Sequence, residues 1–158
     1  MVRPGLTDLR IWSRTKENAD RLAHEVGARS VSIEEAAAAD VVLTATSSTI
    51  PVLEGRWLAP NAVVLSVGAT GATVRELDDE TLLSSWVVAD SRAAVERESG
   101  DVRMSGAKVH AEIGEILADR TLKPREGRIL FKAVGLVIED LVGARLVWES
   151  IEARKGRN

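Results

Sequence analysis

Apolar and polar positions divide the chain into short extended runs separated by helical ones. Leu9 to Trp12 is apolar-rich and reads as a strand, and it leads into a polar elbow, Ser13-Arg14-Thr15. Beyond the elbow, Ala19, Leu22, Ala23 and Val26 recur at helical spacing, so a helix is predicted there. Thr15 is placed to cap it, and Gly27 stands where a left-handed residue closes a helix. Ser32 with Glu35 makes a capping box for a brief alanine-rich helix ending near Asp40. "VVLTATSS", Val41 to Ser48, is rich in β-branched residues, as in a strand buried on both faces.

"IPVLEGRWLAPN" is punctuated by Pro51, Gly55 and Pro60 and reads as loop. "AVVLSVGAT", Ala62 to Thr70, is a second buried strand running into a glycine turn. "ELDDETLLSS" predicts a short helix and "WVVAD" a third strand. Ser91 caps a helix through about Glu98, which "SGD" ends, and Val109 to Ala118 is helical by pattern. "RILFKA" is a last extended piece, and Val134 to about Arg154 a long helix. Strands alternating with helices imply an α/β fold with a parallel sheet.

Composition narrows the function classes. The chain has 158 residues, 45% of them hydrophobic, enough for one packed core. A formal charge of −3, with both signs interspersed, gives no reason to expect nucleic acid or an anionic membrane as partner. Cysteine is absent, which excludes disulfide scaffolds, thiol catalysis and Cys-based zinc sites. His24 and His110 are too isolated for a metal cluster, and no apolar run approaches membrane-spanning length. A cytoplasmic protein is the expectation.

The elbow carries the first candidate chemistry. A strand followed by a polar turn and a helix is where dinucleotide-binding folds meet the adenosine ribose. NAD-preferring members place Asp or Glu at this strand end, whereas here Ser13, Arg14 and Thr15 offer a guanidinium between two hydroxyls. That combination suits the 2′-phosphate of NADPH, although taken alone it is also an ordinary helix start with a solvated arginine. "TATSST" and "SVGAT" follow buried strands, where open α/β sheets collect ligands, and their small residues allow close backbone approach. The acids Glu76 to Glu80 are expected to form a solvated helix start that complements the dipole. Lys132 interrupts an apolar run, for which snorkelling is the expected explanation. Four scattered tryptophans read as core and interface anchors.

In ordered succession, "RIWSRTKENADRLA", "ADVVLTATSSTIPVLEGRWLAPNAVVLSVGA", "RELDDETL", "VVADSRAAVERESGDV", "HAEIGEIL" and "LFKAVGLVIEDLVGARLVWES" resemble the ornithine cyclodeaminase/mu-crystallin family. The resemblance runs from about residue 8 to residue 151. It implies a partial Rossmann-like parallel sheet with flanking helices and a long C-terminal helix. Residues 1–133 would be a dinucleotide-binding domain lacking its glycine-rich loop, and 134–158 a helix that packs on the substrate and dimerisation region. In such folds the loop should lie about twenty residues upstream of the elbow, yet "MVRPGLTD" contains none. The expectation is therefore the second half of a longer architecture: a late-started reading frame, a fragment or a degenerate descendant.

The resemblance also implies roles. Ser13, Arg14 and Thr15 would bind the adenosine 2′-phosphate, Thr46 and Ser47 would line the crevice, and Val67, Gly68 and Ala69 would lie beneath the nicotinamide. Thr70 stands where the cyclodeaminase branch carries a water-activating aspartate, so the chain is closer to the mu-crystallin-like ketimine reductases. Ala133 replaces a serine common in relatives, which removes a hydroxyl contact to the cofactor. The implied function is the NADPH-binding half of an imine reductase, inactive alone, with NAD as the alternative cofactor. The substrate of a full-length member would be a small imine or amino acid. The alternatives are an ornithine cyclodeaminase forming proline and a non-catalytic binding or interaction protein. Homodimers are implied for the family, and poor self-association is expected of this chain alone.

Overall fold

In the computed structural model, residues 5, 7–119, 121–122 and 126–155 are described. The chain runs β1 (Arg10–Ile11), α1 (Lys16–Val26), β2 (Arg29–Ser30), α2 (Ile33–Ala37) and β3 (Val41–Thr44). After a 3-10 turn at Gly55–Trp57 come β4 (Val63–Ser66), α3 (Asp79–Leu83), β5 (Ser85–Ala89), α4 (Arg92–Glu98) and α5 (Gly100–Ser105). The chain continues through β6 (Val109–Glu112), α6 (Ile113–Ala118), β7 (Arg128–Lys132) and α7 (Val137–Lys155).

The strands form two parallel groups. β1 pairs with β2, and a five-stranded sheet has the order β3-β4-β7-β5-β6. The architecture is thus α/β with a parallel sheet and a long final helix, as the pattern predicts, and Rossmann-like with flanking helices, as the resemblance implies. Among the described residues β1 pairs only with β2 and β3 only with β4. Trp12, just beyond β1, and Val42–Thr44 of β3 line one small cleft of about 90 Å³.

One face of the larger sheet carries the core. Val42, Val64, Leu130 and Val87 lie side by side across β3, β4, β7 and β5, all buried. Leu77, Leu82, Val95 and Val102 cover them from the α3, α4 and α5 side. The next rung toward the carboxyl ends on that face is Thr44, Ser66, Lys132 and Ala89, also buried. The core therefore changes from apolar to polar within one strand period.

Several local expectations meet different outcomes. Gly27 closes α1 at φ 71°, as expected, and Ala19 and Ala23 are buried, but Leu22 is 46% exposed. Thr15 occupies the capping position without a capping bond from its side chain. Ser32 does accept from the Glu35 amide, at 3.2 Å. "SGD" ends α4 as expected, with Ser99 at its C-terminal cap, and the same Ser99 also caps a further helix, α5, that the pattern does not predict. The predicted helix over Val109 to Ala118 is strand β6 followed by α6. Val109 and Ala111 alternate inward with period two, and the Glu112 amide donates to the Glu115 carboxylate to start α6. The last helix begins at Val137, three residues later than predicted. Apolar residues all round it, including Leu141, Leu146 and Trp148, are exposed.

Candidate functional site

The elbow lies on a cleft of about 390 Å³ at the carboxyl ends of β1 and β3. Ser13, Arg14 and Thr15 form one wall, and Thr46 and Ser47 form the other. Five of the sequence-predicted residues are therefore brought together. A second cleft of about 380 Å³ also adjoins Ser13 and Arg14, and Lys16, Ser30 and Ser32 complete its polar lining. Neither lining contains a carboxylate.

Local geometry keeps the elbow's polar groups available. The Thr15 amide donates to Ser13 Oγ at 3.3 Å, and the Thr15 carbonyl accepts from Asn18 and Ala19 as α1 begins. Thr15 and Asn18 bring the N-terminal end of this 11-residue helix to the cleft, the end whose dipole favours anions. Neighbouring cations are committed elsewhere: Arg10 and Arg29 to Asp8 at 2.7 and 3.0 Å, and Lys16 to Asp20 at 2.7 Å. Arg14 is exposed and has no acidic partner among the described residues.

Val67, Gly68 and Ala69 follow β4 and line neither cleft; they reach the first through Gly68, which lies against the backbone of Thr46. Val67 is half-exposed and its amide donates to the Thr44 carbonyl at 3.0 Å, while Ala69 is buried. Gly68 is required sterically: a Cβ there would overlap the Glu76 carboxylate and the Thr46 backbone. The turns after β3 and β4 therefore touch. Thr70 is exposed just beyond, and Ala133 donates its amide to the Ser66 carbonyl at 3.0 Å.

What joins the turns is a residue expected in solvent. Glu76 is fully buried, which corrects the reading of residues 76–80 as a solvated helix start; α3 begins only at Asp79. The Glu76 carboxylate accepts from the Thr46 amide, from the Gly68 amide at 3.0 Å, and from the Thr44 and Ser66 hydroxyls at 3.1 and 3.2 Å. Burial pushes this carboxyl up, but hydrogen bonds at Thr46 and Ala69 and the Lys132 charge outweigh it and hold it below the ordinary value of 4.5.

Lys132 does not snorkel. It is fully buried, with Nζ 3.0 Å from Asp101 Oδ2, 3.0 Å from Ser66 Oγ and 3.1 Å from the Ala69 carbonyl. Asp101, also fully buried, accepts the Glu76 and Leu77 amides at 2.9 and 3.0 Å. A visible signal was available for this network. Thr44, Ser66 and Lys132 occupy matching places at the ends of three buried runs, and three adjacent buried polar groups need a shared partner. Asp101 lies in a segment taken as a helix end and carried no such signal.

The histidines stand apart from the cleft. His24 is exposed on α1. His110 lies on β6, where its ring stacks on Trp86 at 6.0 Å and Nδ1 accepts from the Val87 amide at 2.9 Å. Among the described residues no group of three or more His, Asp or Glu side chains is placed to hold a metal ion, and no helix is long and apolar enough to cross a membrane.

Comparison with known proteins gives a consistent picture. The profile of the ornithine cyclodeaminase/mu-crystallin family matches residues 2–155. The ketimine reductase mu-crystallin of Macropus fuliginosus is 43% identical over 152 residues, covering 94% of this chain and 48% of that protein. Among solved structures, the Thermococcus litoralis Δ1-pyrroline-2-carboxylate reductase in complex with NADH and L-proline aligns with a TM-score of 0.83 and 32% identity. That alignment covers 92% of this chain and 50% of the reductase. An archaeal alanine dehydrogenase dimer with bound NAD aligns with a TM-score of 0.85 and 25% identity, covering 94% and 50%. The chain spans about half the length of the curated relatives it matches.

Proposed function

The chain belongs to the ornithine cyclodeaminase/mu-crystallin family, and from that premise we propose that it is the nucleotide-binding half of an NADPH-dependent imine reductase. The observation that carries the cofactor assignment is the cleft between the elbow and the turn after β3, with an uncommitted Arg14 and no carboxylate in its lining. Ser13, Arg14 and Thr15 bind the adenosine 2′-phosphate, with the α1 N-terminus adding its dipole. Thr46 and Ser47 form the opposite wall, and Val67, Gly68 and Ala69 provide the ledge for the nicotinamide. When bound, the cofactor supplies a hydride to the carbon of a C=N bond beside a carboxylate. The protein's part is to fix the ring's orientation and keep water from that face.

Thr70 favours reduction over ammonia release, because a threonine at this position has no carboxylate with which to activate water. The groups that grip the diphosphate and the substrate carboxylate are not among the residues assigned here. The reading therefore expects weak NADPH binding and no turnover from this chain alone.

Adenosine 2′,5′-bisphosphate tests the elbow directly, since it carries the 2′-phosphate without the diphosphate. Calorimetric titration should detect it binding more tightly than adenosine 5′-monophosphate. Arg14→Ala should weaken binding by about 10- to 100-fold, the range for a charge-assisted bond of roughly 1.5–3 kcal/mol. Two matched structures carry NADH or NAD, so NADPH and NADH are titrated in parallel. Equal affinities for the two, unchanged by Arg14→Ala, would refute the 2′-phosphate assignment.

A further inference from the structure

The structure assigns Glu76 a positioning role: its buried carboxylate staples the turn after β3 to the turn after β4, and Lys132 holds the second of these turns from its other end. The link to cofactor binding rests on the function proposed above; the staple itself rests on geometry alone. One carboxylate oxygen takes the Thr46 amide, and the other takes the Gly68 amide and the Thr44 and Ser66 hydroxyls. The two turns therefore share one acceptor group.

The second half of the device is Lys132. Its ammonium binds the Ala69 carbonyl and the Ser66 hydroxyl, and pairs with Asp101. Ser66 has one proton, so it donates to Glu76 while accepting from Lys132, and the two charges act on each other through it. The ledge is thus gripped by an anion at the Gly68 amide and a cation at the Ala69 carbonyl. Asp101 fixes the anion's own backbone by accepting the Glu76 and Leu77 amides.

A purely structural core has little use for this arrangement. Buried ion pairs are often matched or bettered for stability by apolar residues of similar volume. What apolar packing cannot do is hold particular backbone amides and carbonyls at set positions. Here those groups belong to the Thr46 wall and to the ledge after β4, both of which the cofactor would meet. Gly68 shows how tight the fit is, since no side chain could stand between the two turns.

Amide hydrogen exchange, read residue by residue by NMR, tests the staple in the chain as it stands. In Glu76→Gln the Thr46, Gly68 and Ala69 amides should lose at least tenfold protection, while the Val87 and Leu130 amides in the central strands keep theirs. Ser66→Ala is the milder second variant, and should give a several-fold loss confined to Gly68 and Ala69. NADPH affinity should fall about tenfold in Glu76→Gln, while adenosine 2′,5′-bisphosphate, which meets only the elbow, stays within twofold of wild type. A merely structural residue would not separate those two ligands. Failure of wild type to bind either ligand would sink the cofactor reading and leave the exchange data to decide the staple. Unchanged turn amides in both variants, or equal loss across turns and central strands, would overturn it.

Discussion

Replacing Lys132 with methionine isolates the value of the buried cation. Methionine keeps the length and apolar character of the stem and removes only the ammonium. Two acceptors then lose a donor, Ser66 Oγ and the Ala69 carbonyl, and Asp101 Oδ2 loses its ion-pair partner. Removing one member of a buried ion pair costs about 3–5 kcal/mol, chiefly because the other charge stays buried without compensation. Arg75 Nε lies 3.9 Å from Asp101 Oδ1 and offsets part of that, which places the expectation near 3 kcal/mol. With an m-value of about 2 kcal/mol/M in urea, the unfolding midpoint should drop by about 1.5 M. Tryptophan fluorescence can follow the transition, since Trp57 and Trp86 are half-buried. In the double variant Lys132→Met/Asp101→Asn the uncompensated charge is gone, so about 1.5 kcal/mol or more should be regained relative to the sum of the single variants. A midpoint shift below about 0.3 M for Lys132→Met, or single-variant costs that simply add, would refute the reasoning.

Two further outcomes follow from the same cluster. Gly68→Ala puts a methyl group against the Thr46 backbone and the Glu76 carboxylate. Overpacking costs about 1–3 kcal/mol, and a backbone wall places this case at the upper end. Thermal unfolding should therefore fall by about 6–12 °C, and an unchanged midpoint would mean the turns are not in contact. For acid, the sign follows from a Glu76 carboxyl held below its ordinary 4.5 in the fold. Its contribution is fully present above pH 4.5 and is lost as pH falls through the lower folded value. Urea midpoints measured from pH 7 to pH 3.5 should decline less in Glu76→Gln than in wild type. The carboxylates shared by both proteins cancel in that comparison, and parallel declines would count against the assignment.

The sheet was legible in the sequence because its strands are short apolar runs rich in β-branched residues, as at Val41–Thr44 and Val63–Ser66. β3 is nonetheless buried on one face only, Val41 and Leu43 being exposed, where burial on both faces is expected. The elbow was legible because a short strand, a hydroxyl-rich turn and a helix with 3.6-residue spacing follow in order. The polar interior was not. Local pattern marks Glu76 as the first of several acids, and what buries it is a carboxylate-sized gap between turns that come together only in the fold. Asp101 is buried for a related reason, since a second helix, α5, starts at Gly100 directly after the helix end that the pattern predicts. β6 was misread because four residues fit helical and extended spacing alike, and only the pairing of Val87 with Val109 decides between them. The exposed apolar positions of α7 show the opposite limit. Helical spacing identified the helix correctly but says nothing about what packs against it.

The two buried rungs divide labour along the same strands. Val42, Val64, Leu130 and Val87 form an apolar row whose worth is the area it removes from water. One strand period further on, Thr44, Ser66 and Lys132 replace hydrocarbon with hydrogen-bonding groups, where the strands end and the crevice opens. Charge is tolerated there because each buried charged group finds a partner: Glu76 has four donors, Lys132 two acceptors and the Asp101 carboxylate, and Asp101 two amides besides the lysine. The cluster is also close to neutral, with Glu76 and Asp101 balanced by Lys132 and Arg75. A nearly neutral cluster of this kind gives two loops the rigidity of a core without filling the space between them and the elbow, even though Asp101 Oδ2 and Arg75 Nε interact by charge alone. Precision in the crevice and stability in the sheet are therefore set by different residues on the same strands, and a change in one rung need not appear in the other.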